Sequence, residues 1–492
     1  MSSADAKASE KQAAVLAYLQ KHQVNEELNI VVNKLAQNQS EDPFAFIARE
    51  FIARSKPSVI TRIVGREILD SRANPTVEAD VYALIRGEEQ LVARAGAPSG
   101  ASTGSNEAHE LRDEDKSRYL GKGVLKAAGN VSGALNDAVV GQDPRNLKKL
   151  DDALCAADGT PLKTKLGGNA ITAASFALAE AGAKLANKEL YQHLASFFHE
   201  SLPSKFSLPR PMVNIVNGGK HAGGDLRIQE FMIVPGANRT FKENLRVVTE
   251  VYHHLGKLLV KKKGLSAKNL GDEGGFAPDL QSPHEALSII EEAIGLAGYK
   301  VGEDVFLALD CAASEFYAEG KYEIEKGKFL NSTDLVQFYL KLKKDHPALI
   351  SIEDGFDEKD YEGWTRMTEA FAKEHPGFMI VGDDLYTTNT DLIQKGIAGK
   401  WANSLLLKVN QIGTVSESMD AARMIFADKG QVIVSHRSGE TINTLISDLA
   451  VAIGAGFIKT GAPARSERGA KYNRLLVIEE LLEKAGQLQQ RA

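Results

Sequence analysis

Charged residues follow several short apolar runs in the second half of the chain. The runs VFLALD, ALISIE, FMIVGD, SLLLK, QVIVSHR and FIK end, in this order, on Asp310, Glu353, Asp383, Lys408, His436 with Arg437, and Lys459. Each run has the length of a buried parallel strand, and helix-compatible sequence separates most neighbours. This alternation predicts βα units that close into a barrel, whose catalytic groups project from the C-terminal ends of the strands. We therefore expect these side chains to meet in one mouth.

The three carboxylates of this set predict a metal site. Asp310, Glu353 and Asp383 would repel one another strongly unless a cation lay among them. Ligands that are all oxygen favour Mg²⁺, which keeps positions open for water or substrate. Each carboxylate alone could equally cap the helix that follows it, but capping is a weaker explanation for all three together.

The basic residues of the set suit proton transfer and anion binding. Beside a metal, Lys408 can act as a general base with a lowered pKa, or it can pair with the metal's carboxylates, and the sequence favours neither. Arg437 and Ser438 in SHRSGE, together with Lys459, suit a phosphate or a carboxylate. The alternative is a salt-bridge cluster with the acids.

Three glycine-rich segments add weaker candidates. GDEGG contains Glu273, NGGKHAGGD contains His221, and APSGASTGS lies near the end of the strand region that follows residue 58. Glycine lets the backbone approach a ligand closely, and such loops suit lids over a small substrate. Solvated surface turns have the same composition, so these segments alone decide nothing.

One apolar run carries its acid at the opposite end. In RIQEFMIVP, Glu230 precedes the run. In a parallel strand Glu230 would lie at the wrong end of the barrel, whereas in an antiparallel strand it would join the other groups at the mouth.

Composition bounds the class of protein. The 492 residues are 43% hydrophobic and 25% charged, which allows two or three domains of a globular protein. The net charge of -6 argues against a nucleic-acid surface, and no apolar run approaches the ~20 residues that cross a membrane. With two cysteines and no apolar signal-peptide core at the N-terminus, we expect a cytoplasmic protein.

Three regions follow from the patterns. Residues 1–57 form a helical extension, residues 58–204 mix strands and helices, and residues 205–492 carry the barrel-like alternation. In the middle region, ITRIVGREILD and TVEADVYALI are predicted to be strands. Within the extension, helix patterns cover about 11–22 and 25–38, the second with Leu28, Val31, Val32 and Leu35 on one face.

A third helix begins at SEDP in the same extension. There Asp42 suits the N-cap and Pro43 the first helical position. Phe44, Ile47 and Phe51 line this helix, and so short a segment must bury its apolar face against a copy of itself or another protein.

From about residue 58 to 480 the chain resembles enolase, the phosphopyruvate hydratase family. The motifs that carry the resemblance run in family order: ILDSRANPTVE, SGASTG, KLGGNA, NGGKHAGG, QEFMIVP, GDEGGFAP, LDCAASEF, SIEDGF, VGDD, LLLKVNQIGT, VSHRSGET and IKTGAPARSER. The resemblance implies a small α+β domain followed by a (β/α)8-like barrel with an antiparallel second strand, which agrees with the position of Glu230.

The resemblance also implies dehydration of 2-phosphoglycerate to phosphoenolpyruvate with two Mg²⁺ ions per active site. Sites of this superfamily use a Lys or His base with Mg²⁺ that stabilises the enediolate. By motif, Lys408 would take the C2 proton and Glu273, assisted by Glu230, would protonate the leaving hydroxyl, with His221 entering on its loop. The implied metal ligands are Asp310, Glu353 and Asp383 for the first ion and Ser102 for the second. The implied substrate contacts are His221, Gln229, Glu230, Ser435, His436, Arg437, Ser438 and Lys459, of which Arg437 and Ser438 bind phosphate and Lys459 binds carboxylate.

Some positions depart from the family pattern. They are Gly355 for a usual proline beside Glu353, Tyr386 for a threonine near the metal, Ala73 for a glycine, and Val477 for an arginine that pairs with the residue at Glu78 across the family's homodimer. The second pair of that dimer, Arg66 with Glu467, is present, so we expect a homodimer that Val477 weakens. The departures leave a second interpretation open, an enolase-fold scaffold with incidental or no turnover, and a weaker third, a superfamily enzyme for another carboxylate.

The extension has a resemblance of its own. Its pattern over 12–54, with AQNQSEDPFAFIAREF, is similar to Dpy-30/RIIα-type dimerisation and docking helices. This implies a four-helix bundle that grips an amphipathic helix of an anchoring protein, which would place the chain at a cilium or axoneme. The alternative is a helical extension without a partner.

Overall fold

The computed structural model describes residues 3–55, 57–101, 104–222 and 224–489, without the side chains of residues 3–9, 220 and 221. Two compact units divide the chain. One comprises Met1–Ser58 with Leu84–Glu89, and the other comprises Val59–Ala83 with Gln90–Ala492.

Three helices make up most of the first unit: α1 (Ser3–Lys21), α2 (Val24–Asn38) and α3 (Pro43–Arg54). The start predicted for α3 is present, because the Asp42 side chain accepts a hydrogen bond of 2.9 Å from the Ala45 amide and caps the helix. The ring of Phe44 lies outside the buried face and is 82% exposed, whereas Phe46 is 7% exposed. Phe44 stands in the first turn after the proline, so the buried face of α3 begins two residues later than its apolar pattern indicated.

The second unit opens with a small α+β domain. An antiparallel sheet of order β1-β2-β3 contains β1 (Ile60–Leu69), β2 (Pro75–Ile85) and β3 (Glu88–Gly96). The sequence predicted the first two strands but missed β3, which begins with three polar residues. The helices that follow are α4 (Leu125–Asn130), a π-helical turn (Val131–Leu135), α5 (Asn136–Val139), α6 (Leu147–Asp158), α7 (Gly168–Leu185) and α8 (Leu190–Phe198).

A closed eight-stranded barrel forms the rest of this unit, as predicted. Its first three strands are β4 (Arg210–Asn217), β5 (Glu230–Pro235) and β6 (Val305–Asp310), and its last five are β10 (Leu349–Glu353), β11 (Met379–Gly382), β12 (Ser404–Leu407), β13 (Gln431–Ser435) and β14 (Phe457–Lys459). Between them lies a meander that the sequence did not predict, formed by β7 (Tyr317–Ala318), β8 (Lys321–Glu325) and β9 (Lys328–Leu330). Strand β5 is antiparallel to both neighbours, which confirms the expected second strand.

Helices surround the barrel. They are α9 (Gly219–Ala222), α10 (Phe241–Lys263), α11 (Pro283–Leu296), α12 (Ser332–Asp345), α13 (Tyr361–Glu374), α14 (Thr390–Gly399), α15 (Val409–Ile412), α16 (Val415–Ala427), α17 (Leu445–Ala452) and α18 (Ser466–Lys484). Side-chain caps define several of their starts, as at Ser282, Asn331 and Thr414. Among the helices described, none combines the length and apolar character that a membrane span requires.

The barrel interior is filled by an apolar layer. Its buried members come from seven strands and are Met212, Met232, Val234, Ala308, Met379, Val381, Leu406, Ile433 and Phe457. Inward-facing residues of neighbouring strands stack in layers in such barrels. This layer therefore closes the barrel beneath its mouth.

Candidate active site

A polar cavity opens at the mouth of the barrel. It is lined by Ala101, Gln229, Glu230, Glu273, Asp310, Asp383, Lys408, Ser435, His436, Arg437, Ser438 and Lys459. All of these except Ala101 are residues that the sequence analysis singled out. The structure thus brings together acids, amines and a guanidinium that lie as far as 229 positions apart in the chain.

Strand ends place the charged groups. Asp310 and Glu353 are the last residues of β6 and β10, and Asp383 and Lys408 directly follow β11 and β12. Glu230 is the first residue of the antiparallel β5 and pairs in register with Asp310. The reversed direction of this one strand is therefore what brings Glu230 to the mouth.

Lys459 lies at the centre of an acidic group. Its Nζ is 2.8 Å from Asp310 Oδ2, 2.9 and 3.0 Å from the two Glu353 oxygens, and 3.3 Å from Glu230 Oε2. Burial lowers the pKa of Lys459, but the carboxylates, Asp310 first, outweigh it and hold that pKa well above its ordinary value. The ammonium is therefore charged and holds three carboxylates at the mouth.

Lys408 pairs with Asp383. The Lys408 ammonium donates to Asp383 Oδ2, while Gln411 Nε2 donates to Asp383 Oδ1 over 2.8 Å. Burial lowers the pKa of Lys408, but Asp383 outweighs it and raises that pKa above its ordinary value. This direction is opposite to the lowered pKa expected for a base, because the predicted metal ligand itself is the partner of the lysine.

Glu273 occupies a tight turn that is buried. The side chain is 4% exposed and accepts hydrogen bonds from Asn214 Nδ2 (3.2 Å) and Ser438 Oγ (3.4 Å). Gly274 has φ +83°, and a Cβ there would lie 2.9 Å from the Ala464 carbonyl oxygen. The glycine is thus required by the turn, and a solvated surface acid is excluded.

His436 is held as a neutral ring. Arg468 Nη1 lies 2.6 Å from His436 Nδ1 and the same guanidinium donates to the carbonyl oxygens of Arg437 and Ser438, each at 2.6 Å. Burial, reinforced by Arg468 and opposed by Glu273, lowers the pKa of His436 to about 4. Because Nδ1 accepts from Arg468, the ring proton lies on Nε2, which is 3.3 Å from Glu273 Oε2.

A second acidic group adjoins Asp383. Within the residues that the structure describes, Asp354, Asp383 and Asp384 form the one set of three whose ligand atoms all lie within 4.8 Å of one another. The Asp354 oxygens accept from the backbone amides of Asp383 and Asp384, each over 2.9 Å. Only Asp383 belongs both to this set and to the predicted ligands; the other two, Asp310 and Glu353, contact the Lys459 ammonium instead.

Ser102, His221 and Gln229 are also predicted site positions. Ser102 lies outside the described residues, and so does the side chain of His221, whose backbone belongs to α9. The third, Gln229, lines the cavity, and its backbone amide donates to the Asp310 carbonyl oxygen over 3.1 Å.

Tyr386 lies near the predicted ligand Asp383, because its backbone amide donates to the Asp383 carbonyl oxygen over 3.1 Å, but its side chain does not line the cavity. Its ring is fully buried, and its hydroxyl donates to the Ala402 carbonyl oxygen over 3.2 Å. A Cβ at Gly382 or Gly396 would lie 2.7 or 2.2 Å from this ring. Two glycines therefore make the space that lets the larger side chain turn away from the mouth.

Several contacts of the site escaped sequence reasoning. Glu107, Asn214, Gln411 and Arg468 all touch residues of the cavity. Arg468 stands in the quoted segment IKTGAPARSER, and Gln411 follows Lys408 by three residues. Spacing of one helical turn was a usable signal for Gln411, whereas nothing local marks Glu107 or Asn214.

Comparison with protein families gives two matches. The family model described as "Enolase, N-terminal domain" matches residues 60–194. The model described as "Enolase, C-terminal TIM barrel domain" matches residues 205–491, which is more than half of the chain.

Proposed function

This chain belongs to the enolase family, and we propose that it catalyses the Mg²⁺-dependent, reversible dehydration of 2-phosphoglycerate to phosphoenolpyruvate. The observation that supports this reaction most is the shared cavity of Lys408 and Glu273. A hydro-lyase needs one group to remove a proton and another to protonate a hydroxyl as it leaves; here Glu273 is buried and the Lys408 side chain is 14% exposed.

Lys408 is the proposed base for the C2 proton. The proton at C2 is weakly acidic because its removal places extra charge beside a carboxylate. The base must be a neutral amine, so the Lys408 ammonium must first lose its proton. This requires that Asp383 pair with another group instead of with Lys408, because Asp383 raises the pKa of the lysine. Because Lys408 directly follows β12, a rigid strand holds its amine at the mouth of the barrel.

Glu273 is the proposed acid, assisted by Glu230. Burial first, and then the charge of Glu273, hold the pKa of Glu230 well above its ordinary value. A buried carboxyl group with so raised a pKa retains a proton readily at neutral pH, and Glu230 would in this way keep a proton available to Glu273. The hydroxyl at C3 would take this proton from Glu273 and leave as water.

The donor set fits Mg²⁺. Asp310, Glu353 and Asp383 supply only oxygen atoms, and the acids of the cavity outnumber its two ammonium groups. These three carboxylates would hold one ion, and Ser102 would reach a second. Bound Mg²⁺ supplies stabilisation of the negative charge that develops on the substrate carboxylate.

The remaining groups of the site are proposed to orient the substrate. Arg437 and Ser438 are proposed to bind the phosphate, and Lys459 the carboxylate, with further contacts from His221, Gln229, Ser435 and His436. Arg468 fixes the backbone of the phosphate segment through two carbonyl oxygens. In this orientation the substrate would present C2 to Lys408 and C3 to Glu273, and such alignment of the reacting groups accelerates elimination.

The test is formation of phosphoenolpyruvate from 2-phosphoglycerate by the full-length chain. We expect turnover with Mg²⁺, loss with chelator, and loss of at least ~10³-fold in Lys408→Ala. Lys300→Ala, a change at an exposed lysine that pairs with Glu303, is the matched control. Absence of turnover in folded, Mg²⁺-saturated protein would refute the proposal and favour a scaffold with the enolase fold.

Exposed apolar side chains favour a second role for the N-terminal unit. On α2 and α3 these are Leu28, Ile30, Val32, Phe44 and Ile52, each at least 43% exposed. Such a surface suits dimerisation of the chain and docking of an amphipathic helix from an anchoring protein through residues 12–54. In ciliated cells the full-length chain would then be enriched at the cilium, and Ile30→Glu would abolish that enrichment. An even cytoplasmic distribution of the unchanged chain would contradict docking.

A further inference from the structure

A buried ion pair joins the α+β domain to the mouth of the barrel. Arg437 donates through Nη1 to Glu107 Oε2 (2.8 Å) and through Nη2 to Glu107 Oε1 (3.1 Å). The two side chains are 4% and 7% exposed. Such a two-point contact fixes the plane of the guanidinium as well as its position.

Other groups fix the carboxylate in turn. Glu107 Oε1 also accepts from the Gly104 amide (3.0 Å) and from Gln411 Nε2 (3.4 Å). On the other side of the pair, Arg437 Nη1 donates to Asn410 Oδ1 (3.2 Å). Asn410 and Gln411 are neighbours in α15, so the pair is held from both domains of the second unit.

Gln411 connects this pair with the proposed base. Its amide donates to Glu107 and to Asp383 Oδ1 (2.8 Å), and Asp383 in turn pairs with Lys408. The amide is completely buried. A displacement of Glu107 would therefore reach both the guanidinium and the acid beside the base.

We infer that Glu107 is a positioning residue that sets the orientation of the Arg437 guanidinium for the substrate phosphate. This inference rests on the proposed function, in which Arg437 binds that phosphate. A guanidinium reaches a phosphate by parallel N–H groups, so its plane must be set before the anion arrives. Glu107 supplies that plane from outside the cavity and need not touch the substrate.

Two other roles would have different signatures. A purely structural ion pair would change stability and leave substrate binding unchanged. A carboxylate that merely offsets the charge of Arg437 would, when removed, tighten phosphate binding. Positioning alone predicts weaker phosphate binding after its removal, because a guanidinium turned out of its plane loses one of its two parallel hydrogen bonds to the phosphate.

The experiment compares Glu107→Gln and Glu107→Asp with a control, Glu110→Gln. Glu110 is a nearby acid of the same segment and pairs with Arg112 at 3.0 Å. In Glu107→Gln we expect the KM for 2-phosphoglycerate and the inhibition constant of inorganic phosphate both to rise about tenfold or more, with a smaller change in kcat. Glu107→Asp, which keeps the charge with a shorter reach, should recover part of this loss, and the control should stay within about twofold of the unchanged chain.

Each contrary result overturns the inference. An unchanged KM with a lowered melting temperature would assign a structural pair, and a lower KM would assign charge compensation. Equilibrium binding of inorganic phosphate is measured on the same variants without turnover. If the unchanged chain is inactive yet Glu107→Gln binds phosphate more weakly, the proposed reaction fails while the positioning role stands.

Discussion

The mouth of the barrel and the layer beneath it are built by the same strands with opposite chemistry. The layer is apolar and buried, whereas the mouth gathers charged and polar groups that are nearly as buried: Asp310, Glu353, Asp383 and Lys459 are each at most 7% exposed. Burial is thus similar in the two regions, and what distinguishes them is how the buried groups are satisfied. In the apolar layer, dispersion and the exclusion of water stabilise the side chains. At the mouth, each of these charged groups has a hydrogen-bonding or ion-pair partner.

A step of two residues separates the regions on most strands. The pairs of layer residue and mouth residue are Met212 and Asn214, Met232 and Glu230, Ala308 and Asp310, Val381 and Asp383, Leu406 and Lys408, Ile433 and Ser435, and Phe457 and Lys459. Side chains two apart on a strand face the same side, so both members of a pair point inward. The apolar layer therefore fixes the height at which the chemistry takes place.

Replacing the central cation of the mouth should have the largest effect. In Lys459→Met the carboxylates of Asp310, Glu353 and Glu230 lose their shared ammonium. We expect the free energy of unfolding to fall by about 3–5 kcal/mol and turnover to be lost. Urea unfolding with chelator present measures the first and the phosphoenolpyruvate assay the second. Unchanged stability would mean that the acids of the mouth need no internal cation.

A cavity in the layer should cost nearly as much stability but little chemistry. Leu406→Ala, two residues before Lys408, removes a fully buried side chain, and we expect a loss of about 3 kcal/mol in the free energy of unfolding. Turnover per folded molecule should stay within about an order of magnitude, because the strand still holds Lys408. If kcat falls as far as in Lys408→Ala, the two regions are not separable.

Acid should weaken the mouth through His436. The unfolded ring binds a proton near pH 6.5, but the folded ring does so only near pH 4, so between these values the unfolded state holds more protons and stability falls as pH falls. Between pH 7 and 4.5 the unchanged chain should therefore lose roughly 2.5 kcal/mol that His436→Gln does not lose. Parallel stability curves for the two proteins, from urea unfolding with chelator, would show that His436 is not held neutral.

The smallest effect is expected at Tyr386. Tyr386→Phe removes one hydrogen bond to the Ala402 carbonyl and should cost about 1 kcal/mol of the free energy of unfolding. The Mg²⁺ concentration for half-maximal turnover should not change, because the ring points away from the mouth. A shift of that concentration would restore the interpretation that this residue tunes the metal.

The sequence predicted most of the barrel strands but few of the contacts between their side chains. Strand ends such as Asp310 and Lys459 were readable because short apolar runs stop on charges, and Glu230 even revealed the reversed strand. Which acid pairs with which lysine was not readable, since the partners of Lys459 lie 149 and 106 residues away and the partner of Lys408 lies 25 residues away, after another strand. Strand β3 was missed because its first half is polar and exposed, and the meander at 317–330 was missed because its strands are short and carry little apolar signal.

The side chains that the sequence misjudged are those whose environment comes from other segments. Tyr386 was expected beside the metal, but Gly382 at the end of β11 and Gly396 in the next helix, α14, accommodate its ring. Glu107 looked like any acid of a polar loop, and only the fold brings it to Arg437. Local pattern therefore locates a site more readily than it assigns the contacts within it.

Exchange of the C2 proton of 2-phosphoglycerate in deuterated water tests most directly whether two different groups of the mouth remove the proton and expel the hydroxyl. With Mg²⁺, Glu273→Gln should still exchange this proton while forming little phosphoenolpyruvate, and Lys408→Ala should do neither. If Lys408→Ala exchanges the proton as fast as the unchanged chain, the base lies elsewhere and the assignment of the mouth is wrong.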